Sequence, residues 1–240
     1  MSHLLQTFAL AGSAPRGSAD ATRWLIPVAF FAAGFAPIVA LSIALFGLLP
    51  IHATAIAVVL PASVAVVILG IRYPVHGRQA IKGLVWGMIA TLIYDGTRLP
   101  FLLSGTWPDF IPKIGGLVLH STRPNGVVGY LWRYVGDGGG MGMAFAMIAP
   151  RIRRYACIRK AAVAYGLMIW LCLMATLHGC PDPQRLMFVL TPVSLVMSLV
   201  GHVVYGLFLG VQISLEPSID FSRFQLRRVT RTLLLVEAAR

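Results

Sequence analysis

Four ionisable residues lie within apolar stretches of this 240-residue chain. In one stretch Asp95 and Arg98 are three residues apart, so on a helix they share a face. In another stretch Arg133 and Asp137 are four residues apart and share a face in the same way. An ionisable side chain in hydrocarbon costs at least about 2.5 kcal/mol, so it rarely lies there without a partner or a function. These four residues, called the predicted quartet, are therefore the candidate site.

Three interpretations of the predicted quartet are open at this stage. In the first, the charges are structural, and each helix pairs its own charges or pairs them with those of its neighbour. In the second, Arg98 and Arg133 form a fork for an anionic group that enters from the outer face, and the aspartates orient the guanidinium groups. In the third, a proton or a cation passes through Asp95 and Asp137. Counting from the predicted helix ends places both arginines nearer the outer face and both aspartates beneath them.

Other polar residues accompany the quartet. Tyr94 and Tyr134 are chain neighbours of its charges, and His202 lies near the middle of a further apolar stretch. A histidine in a membrane can carry a proton, ligate a haem or a metal, or form a structural hydrogen bond. The predicted substrate-binding residues are Asp95, Arg98, Arg133, Asp137, His202, Tyr94 and Tyr134.

Five glycines fall within the seven residues from Gly136 to Gly142, directly around Asp137. Such a run is poor for a straight helix. It suits close packing between helices, or an unwound segment whose backbone groups face a cavity.

Searches for sequence motifs identify no catalytic residue, no metal site and no cofactor. The chain has no Walker A loop, no dinucleotide-binding G-x-G-x-x-G, no H-E-x-x-H and no G-x-S-x-G. His52, His120 and His178 fall at predicted outer loops or helix ends and could meet in space, but they lack ligand spacing. The three cysteines, Cys157, Cys172 and Cys180, also lack it and are interpreted as free thiols.

The composition indicates a membrane protein. Hydrophobic residues make up 58% of the chain and charged residues 12%, whereas soluble domains are about half apolar and about a quarter charged. A membrane-spanning helix needs about 20 mostly apolar residues. The sequence therefore predicts an all-α transmembrane bundle with six spans, at residues 24–49, 52–71, 80–104, 126–149, 161–178 and 187–213.

The basic residues predict the orientation. Fifteen of the twenty Lys and Arg residues fall on one side of the predicted bundle, three fall on the other, and two lie inside predicted spans. Basic loops stay in the cytoplasm, so both termini are predicted to be cytoplasmic, in a bacterial plasma or inner membrane. The net charge of +12 then faces anionic lipid headgroups, and nucleic acid is excluded as a partner.

Three regions follow from this topology. Residues 1–22 are a flexible cytoplasmic segment, residues 23–213 form the six-helix transmembrane domain, and residues 214–240 form a basic amphipathic tail with an interfacial helix. Between the third and fourth spans, residues 105–125 are too short and too rich in Gly and Pro to cross the bilayer. They predict an interfacial or re-entrant segment on the outer side, with Trp107 at the level of the headgroups.

The sequence favours a small permease or a solute-binding membrane subunit, without catalytic activity, for a small polar or anionic molecule. Two alternatives stay open. One is a membrane-embedded enzyme that acts on a lipid-like substrate, and the other is a non-catalytic accessory subunit that assembles with partner membrane subunits.

Overall fold

The computed structural model of the chain describes residues 16–153 and 156–215. All regular elements in these ranges are helices, as the sequence predicts. The predicted interfacial helix of the C-terminal tail lies outside the described residues. The first helix begins at Arg16, within the segment predicted to be a flexible lead-in.

Seven helices, numbered α1 to α7 along the chain, make up the described structure. Two of them, α2 and α5, each contain a π-helical segment between α-helical ends. A single 3₁₀ turn, Pro183–Arg185, lies between α6 and α7. The bounds are α1, Arg16–Leu45; α2, Ile51–Thr54, Ala55–Val59 (π) and Leu60–Arg72; α3, Pro74–Leu103; α4, Ile111–Val118; α5, Gly126–Leu131, Trp132–Gly139 (π) and Gly140–Ile152; α6, Ile158–Gly179; and α7, Pro192–Leu215.

Local sequence explains several helix ends. Asn125 begins α5, because its side-chain oxygen accepts a hydrogen bond from the Val128 N–H at 3.0 Å. Pro74 opens α3, at a position where the missing N–H costs nothing. Gly47 and Gly105 follow α1 and α3 with φ angles of 71° and 72°, a left-handed conformation that glycine adopts without strain.

Within the described residues, four helices are long and apolar enough to cross a membrane: Trp24–Leu45, Ile51–Arg72, Ile158–Gly179 and Pro192–Leu215. The shortest of them have 22 residues, which at 1.5 Å per residue extend about 33 Å, the thickness of a bilayer core. They coincide with the first, second, fifth and sixth predicted spans. The other two predicted spans correspond to α3 and α5, which are longer but contain the charges and many glycines.

The centre of the bundle is α5, which lies against α1 on one side and α3 on the other. Nearly all residues of its last part, Gly140–Ile152, are buried up to Ala149. On its other side α3 contacts α7, and α7 in turn packs against α6. In contrast, α2 touches mainly α1 and α3 and has no buried residue between Leu60 and Arg72.

Glycines bring α3 and α5 into close contact. Gly83 and Gly87 of α3 face Gly138 and Gly142 of α5, and a Cβ atom at any of the four would overlap an atom of the opposite helix. Each pair is spaced four residues apart, which is the G-x-x-x-G pattern of close membrane-helix packing. The glycine run predicted from the sequence therefore packs closely against α3 and stays helical; it is not unwound.

One end of the bundle, called the capped end, is covered by α4 and by the loops at residues 46–50, 104–110 and 180–191. The side chains of Trp107, Phe110 and Ile111 pack there against Leu177 of α6 and Phe188 of the last loop. The Trp107 side chain is only 2% exposed, so the indole ring is packed inside the protein. The reason is that α4 folds back over the bundle and supplies an apolar lining for the indole ring.

Candidate functional site

An ion pair between Arg133 and Asp95 joins α5 to α3. The Arg133 Nη2 atom lies 2.9 Å from Asp95 Oδ1, and both side chains are less than 20% exposed. The Arg133 guanidinium also lies over the Tyr94 ring, 4.7 Å from its centroid. Arg133 is therefore held by a carboxylate and an aromatic face of the same neighbouring helix.

Arg98 joins α3 to the capped end. Its side chain is 2% exposed, and its Nη2 donates to Asp109 Oδ1 at 3.1 Å. The guanidinium lies 5.2 Å from the Trp107 ring centroid and 5.0 Å from that of Phe110. A second, looser contact of 3.9 Å links Arg98 Nη1 to Asp95 Oδ1. The Asp95 carboxylate thus faces both arginines.

Asp109 is the functional residue that the sequence interpretation missed. Its Oδ1 accepts from the Ile111 backbone N–H at 3.2 Å, and its Oδ2 accepts from the Tyr130 hydroxyl at 2.9 Å. The carboxylate therefore connects α3, the start of α4 and the start of α5. A signal for it existed, since an aspartate two residues before a short helix commonly binds the first N–H groups of that helix.

Asp95, Arg98, Asp109 and Arg133 form one network of opposite charges, called the ion-pair network. Two guanidinium groups face two carboxylates, so its formal charges cancel. The predicted quartet shares three members with it, but Asp109 takes the place that was assigned to Asp137. The arrangement differs from two separate layers, because Asp95 pairs directly with Arg133 and the carboxylate nearest the capped end, Asp109, belongs to the loop before α4.

The sequence left two pairings open for Arg133, one within its own helix and one across to a neighbouring helix. The structure has the second, since Arg133 pairs with Asp95 of α3. No ion pair of the described residues joins Arg133 to Asp137, although both lie in the π-helical segment Trp132–Gly139.

Asp137 lies deeper along α5 than the network and is 8% exposed. Its Oδ1 atom is buried and has no hydrogen-bond partner. The next residue, Gly138, packs against Thr91 of α3, and its carbonyl accepts from the Tyr205 hydroxyl of α7 at 2.8 Å. The Asp137 carboxyl group therefore lies in a π-helical segment of α5 that contacts both α3 and α7.

His202 of α7 is 7% exposed and lies on the other side of Tyr94. Its Nδ1 is 2.7 Å from the Ser198 carbonyl oxygen, which can only accept, so Nδ1 carries the proton. Its ring meets that of Tyr94 edge to face, with centroids 5.2 Å apart. Tyr94 thus separates His202 from Arg133, and the histidine is a neighbour of the network and not a member of it.

Tyr134 lies beside Asp95, and its ring stacks on that of Tyr130 with centroids 6.0 Å apart and planes 19° apart. The structure therefore brings together Tyr94, Asp95, Arg98, Arg133 and Tyr134, with Asp137 below them and His202 behind Tyr94.

The network is only partly hydrogen-bonded. Asp95 Oδ2, Arg98 Nε and Arg133 Nε are buried and have no hydrogen-bond partner, as is the case for Asp137 Oδ1. Buried polar atoms in folded proteins nearly always have partners, and those without one need an explanation such as strain or a ligand.

Two of the cavities on the described surface are lined by residues outside the ion-pair network. One, of about 150 Å³, lies between α1 and α5 and is lined by apolar residues and Arg151. The other, of about 360 Å³, lies at the capped end. Within residues 16–153 and 156–215, no group of three or more His, Cys, Asp or Glu side chains is placed to hold a metal ion.

The fold and the site define a helical protein with several helices able to span a membrane and a charged network buried among them. In comparisons with known proteins, no family model, no curated protein and no solved structure matches the chain. Its function is therefore argued from the geometry of the site.

Proposed function

We propose that the chain is a small multi-pass permease that moves a proton or another small cation, with Asp137 as the carboxylate that binds it. The observation that carries this proposal is the buried Asp137 carboxyl group, whose Oδ1 has no hydrogen-bond partner. Ionisable groups inside a membrane commonly mark ion or proton pathways. π-helical turns such as Trp132–Gly139 also occur frequently at functional sites.

The proposal includes six spans, with α3 and α5 as the third and fourth. Both exceed 22 residues, and their charges pair with one another inside the protein, so they need not meet lipid. The excess of basic residues then places both termini in the cytoplasm of a bacterial plasma or inner membrane and the capped end outside.

A cation suits the site better than the small anion that the sequence favoured. Both guanidinium groups already have a carboxylate partner, and Arg98 is 2% exposed. An anion would have to displace Asp95 or Asp109 from an arginine. By contrast, no ion pair of the described residues includes Asp137, whose polar neighbours are the Arg133 guanidinium and the Trp132 indole N–H. Its Oδ1, which has no hydrogen-bond partner, can accept a proton or ligate a small cation.

In this proposal the ion-pair network is a closed outer gate. Along α5, Tyr130, Arg133 and Asp137 follow one another from the capped end inward, and the first two hold Asp109 and Asp95. Separation of these two contacts would open a path from the outside to Asp137. Three buried atoms of the closed gate have no hydrogen-bond partner: Arg98 Nε, Arg133 Nε and Asp95 Oδ2. Opening the gate therefore breaks fewer hydrogen bonds than it would in a fully bonded network.

Asp137→Asn is expected to abolish cation movement. The amide has the shape of the carboxyl group but cannot exchange a proton or carry a negative charge. Purified protein in liposomes, with a potassium gradient and valinomycin as driving force, should acidify the lumen as reported by a pH-sensitive dye, and a sodium-sensitive dye tests the other cation. The variant should fall to the level of protein-free liposomes.

Asp182→Asn is the matched control, because Asp182 is an exposed aspartate between α6 and α7; it should keep full flux. Flux by Asp137→Asn equal to that of the unsubstituted protein would remove Asp137 from the pathway. If the unsubstituted protein moves neither cation, the permease proposal itself is wrong.

A non-catalytic accessory subunit is the second candidate function. The observation that favours it is the internal neutrality of the ion-pair network, which has the composition expected of charges that only hold helices together. In that case Asp137→Asn changes neither abundance nor fold, and the protein co-purifies with partner membrane subunits in mild detergent. The enzyme alternative gains no support, since the ring of His202 packs on Tyr94.

The orientation of the chain in the membrane can be tested by labelling a native cysteine, so no cysteine has to be introduced. Cys157 is exposed just before α6, whereas Cys180 is buried and Cys172 lies within α6. Backbone N–H groups of Lys160 and Arg159 at the start of α6, aided by their side-chain charges, lower the pKa of the Cys157 thiol. Because the thiolate is the reactive form, Cys157 should react faster than a free cysteine at neutral pH.

A membrane-impermeant maleimide is therefore expected to label inside-out vesicles and not right-side-out vesicles. The difference in labelling rate between Cys157 and free cysteine should shrink as the pH rises through the ordinary thiol pKa, because both thiols are then ionised. Cys157→Ser should remove the label. Labelling of right-side-out vesicles that disappears in Cys157→Ser would reverse the proposed orientation.

A further inference from the structure

Two histidines meet at the mouth of the cavity of about 360 Å³ at the capped end. His52 belongs to the first turn of α2, and His120 follows the end of α4, 68 residues later. The cavity is lined by Ala44, Pro50, Ile51, His52, Leu117, His120, Ser121, Thr122 and Leu186. Neither histidine belongs to the ion-pair network or to the surroundings of Asp137.

The two imidazoles face each other through the same atom. Their Nδ1 atoms are 3.2 Å apart, and their ring centroids are 4.1 Å apart with planes at 57°. Two nitrogens that bind one Zn²⁺ ion at about 2.0–2.1 Å lie about 3.3 Å apart for a tetrahedral angle and about 2.9 Å apart for a right angle. The observed separation falls between these values and is that of a hydrogen bond between the two rings. Rings aimed at one ion would have centroids about 5 Å apart, so to bind an ion the imidazoles must rotate outward from their present separation of 4.1 Å.

The backbone of His120 gives an independent indication. Its φ angle is 55°, and it is the only non-glycine residue with a positive φ in the described part of the chain. The N–H of His120 bonds to the Leu117 carbonyl at 3.1 Å, and the N–H of Ser121 bonds to the Gly116 carbonyl at 2.9 Å. This is the helix-ending motif in which glycine usually holds the left-handed position.

Histidine is one of the non-glycine residues enriched at left-handed positions, but it is less favourable there than glycine. The conformation nevertheless aims the imidazole at His52 across the cavity mouth. Non-glycine residues in this region of the backbone map concentrate at ligand-binding sites, where the surrounding structure holds them.

We propose that His52 and His120 bind a divalent transition-metal ion, such as Zn²⁺, Ni²⁺ or Cu²⁺, through their Nδ1 atoms. Neutral imidazole suits these ions, and Cu²⁺ should bind most tightly of the three. Within the described residues no third His, Cys, Asp or Glu joins them, so water from the cavity fills the other positions. The bound ion would tie the start of α2 to the end of α4.

The test uses the full chain in detergent with a purification tag that contains no histidine. Binding of Cu²⁺, Ni²⁺ and Zn²⁺ is measured by competition with a metal-sensitive dye, together with the melting temperature with and without each ion. We expect one ion per chain and a higher melting temperature with the ion bound. His52→Gln should weaken binding at least about tenfold, since loss of groups that merely support metal ligands already costs 10–100-fold.

His120→Gly separates metal binding from folding. Glycine relieves the left-handed backbone, so this variant should melt at a temperature equal to or above that of the unsubstituted protein without metal, yet lose the metal-induced rise. His178→Gln is the matched control, because His178 is exposed at the end of α6 and does not line the cavity; it should bind like the unsubstituted chain.

Three results would overturn the metal site: binding of none of the three ions by the unsubstituted chain, binding by His120→Gly at full strength, or equal loss in His178→Gln. None of them bears on cation movement through Asp137, which depends on other residues.

Discussion

Asp95→Asn is expected to destabilise the protein by about 3–5 kcal/mol, the loss typical when one partner is removed from a buried ion pair. The Asp95 carboxylate faces both arginines of the network, at 2.9 Å from Arg133 and 3.9 Å from Arg98. Its neutral amide would leave two guanidinium groups with one carboxylate, Asp109, and therefore an uncompensated positive charge among buried side chains. Thermal unfolding of the purified protein in detergent and its abundance in the membrane are the measurements.

A double substitution makes this result specific to the charge pair. Adding Arg133→Gln to Asp95→Asn removes the uncompensated charge. The double variant should therefore have a clearly higher free energy of unfolding than the single variant Asp95→Asn. Asp182→Asn should leave the melting temperature unchanged, because that aspartate is exposed. Equal melting temperatures for Asp95→Asn and the unsubstituted protein would show that the contact contributes no net stability.

Gly87→Val is expected to have the second large effect, a loss of about 3 kcal/mol or failure to accumulate in the membrane. A Cβ atom on Gly87 would overlap the Gly138 carbonyl oxygen and the backbone of Gly142 on α5. Backbone atoms cannot rotate away as a flexible side chain can, so α3 and α5 would have to separate. Their separation also pulls Arg133 away from Asp95.

Gly96→Val is the matched control on the same helix. A Cβ at Gly96 meets no atom within 4 Å, so this variant should accumulate and melt like the unsubstituted protein. If both valine variants behave alike, the cost arises from valine in α3 itself, and the close contact with α5 is not what holds these helices together.

Apolar runs of about 20 residues were enough to predict the helical architecture. Four of the six predicted spans coincide with helices of the described residues that are able to span a membrane. The apolar runs were enough because each such run has one stable structure in hydrocarbon, a helix that satisfies its own backbone. The glycines of α5 were likewise readable as a packing surface, since G-x-x-x-G spacing has a direct physical meaning. Which helix they would face, namely α3, required the three-dimensional structure.

The members of the network were harder to predict, because pairing across helices leaves no trace in sequence spacing. Asp109 lies in a loop, 11 residues after Arg98, and nothing in the sequence shows that α4 folds back over the bundle. From the sequence, His52, His120 and His178 could meet in space, but His52 and His120 are 68 residues apart and no ligand spacing singled out this pair. For Arg133 the sequence left pairing within α5 and pairing with a neighbouring helix both open, and only the structure shows that its partner is Asp95 of α3.

That π-helical segment has a consequence for the whole of α5. Arg133 and Gly138 both face α3 although they are five residues apart. In an α-helix five residues rotate the chain by about 500°, which would leave the two positions about 140° apart. In a π-helix hydrogen bonds join residues five apart, so both positions fall near one line. The π-helical segment Trp132–Gly139 thus allows the contact surface at Arg133 and the contact surface at Gly138 to face α3 from the same helix. Deleting Tyr134 or Val135 would preserve every charge and every glycine and leave the two positions four residues apart. In a regular α-helix four residues rotate the chain by about 400°, so both positions would still face α3. The π-helical segment thus accommodates one residue more than an α-helical connection between the two contact surfaces would need.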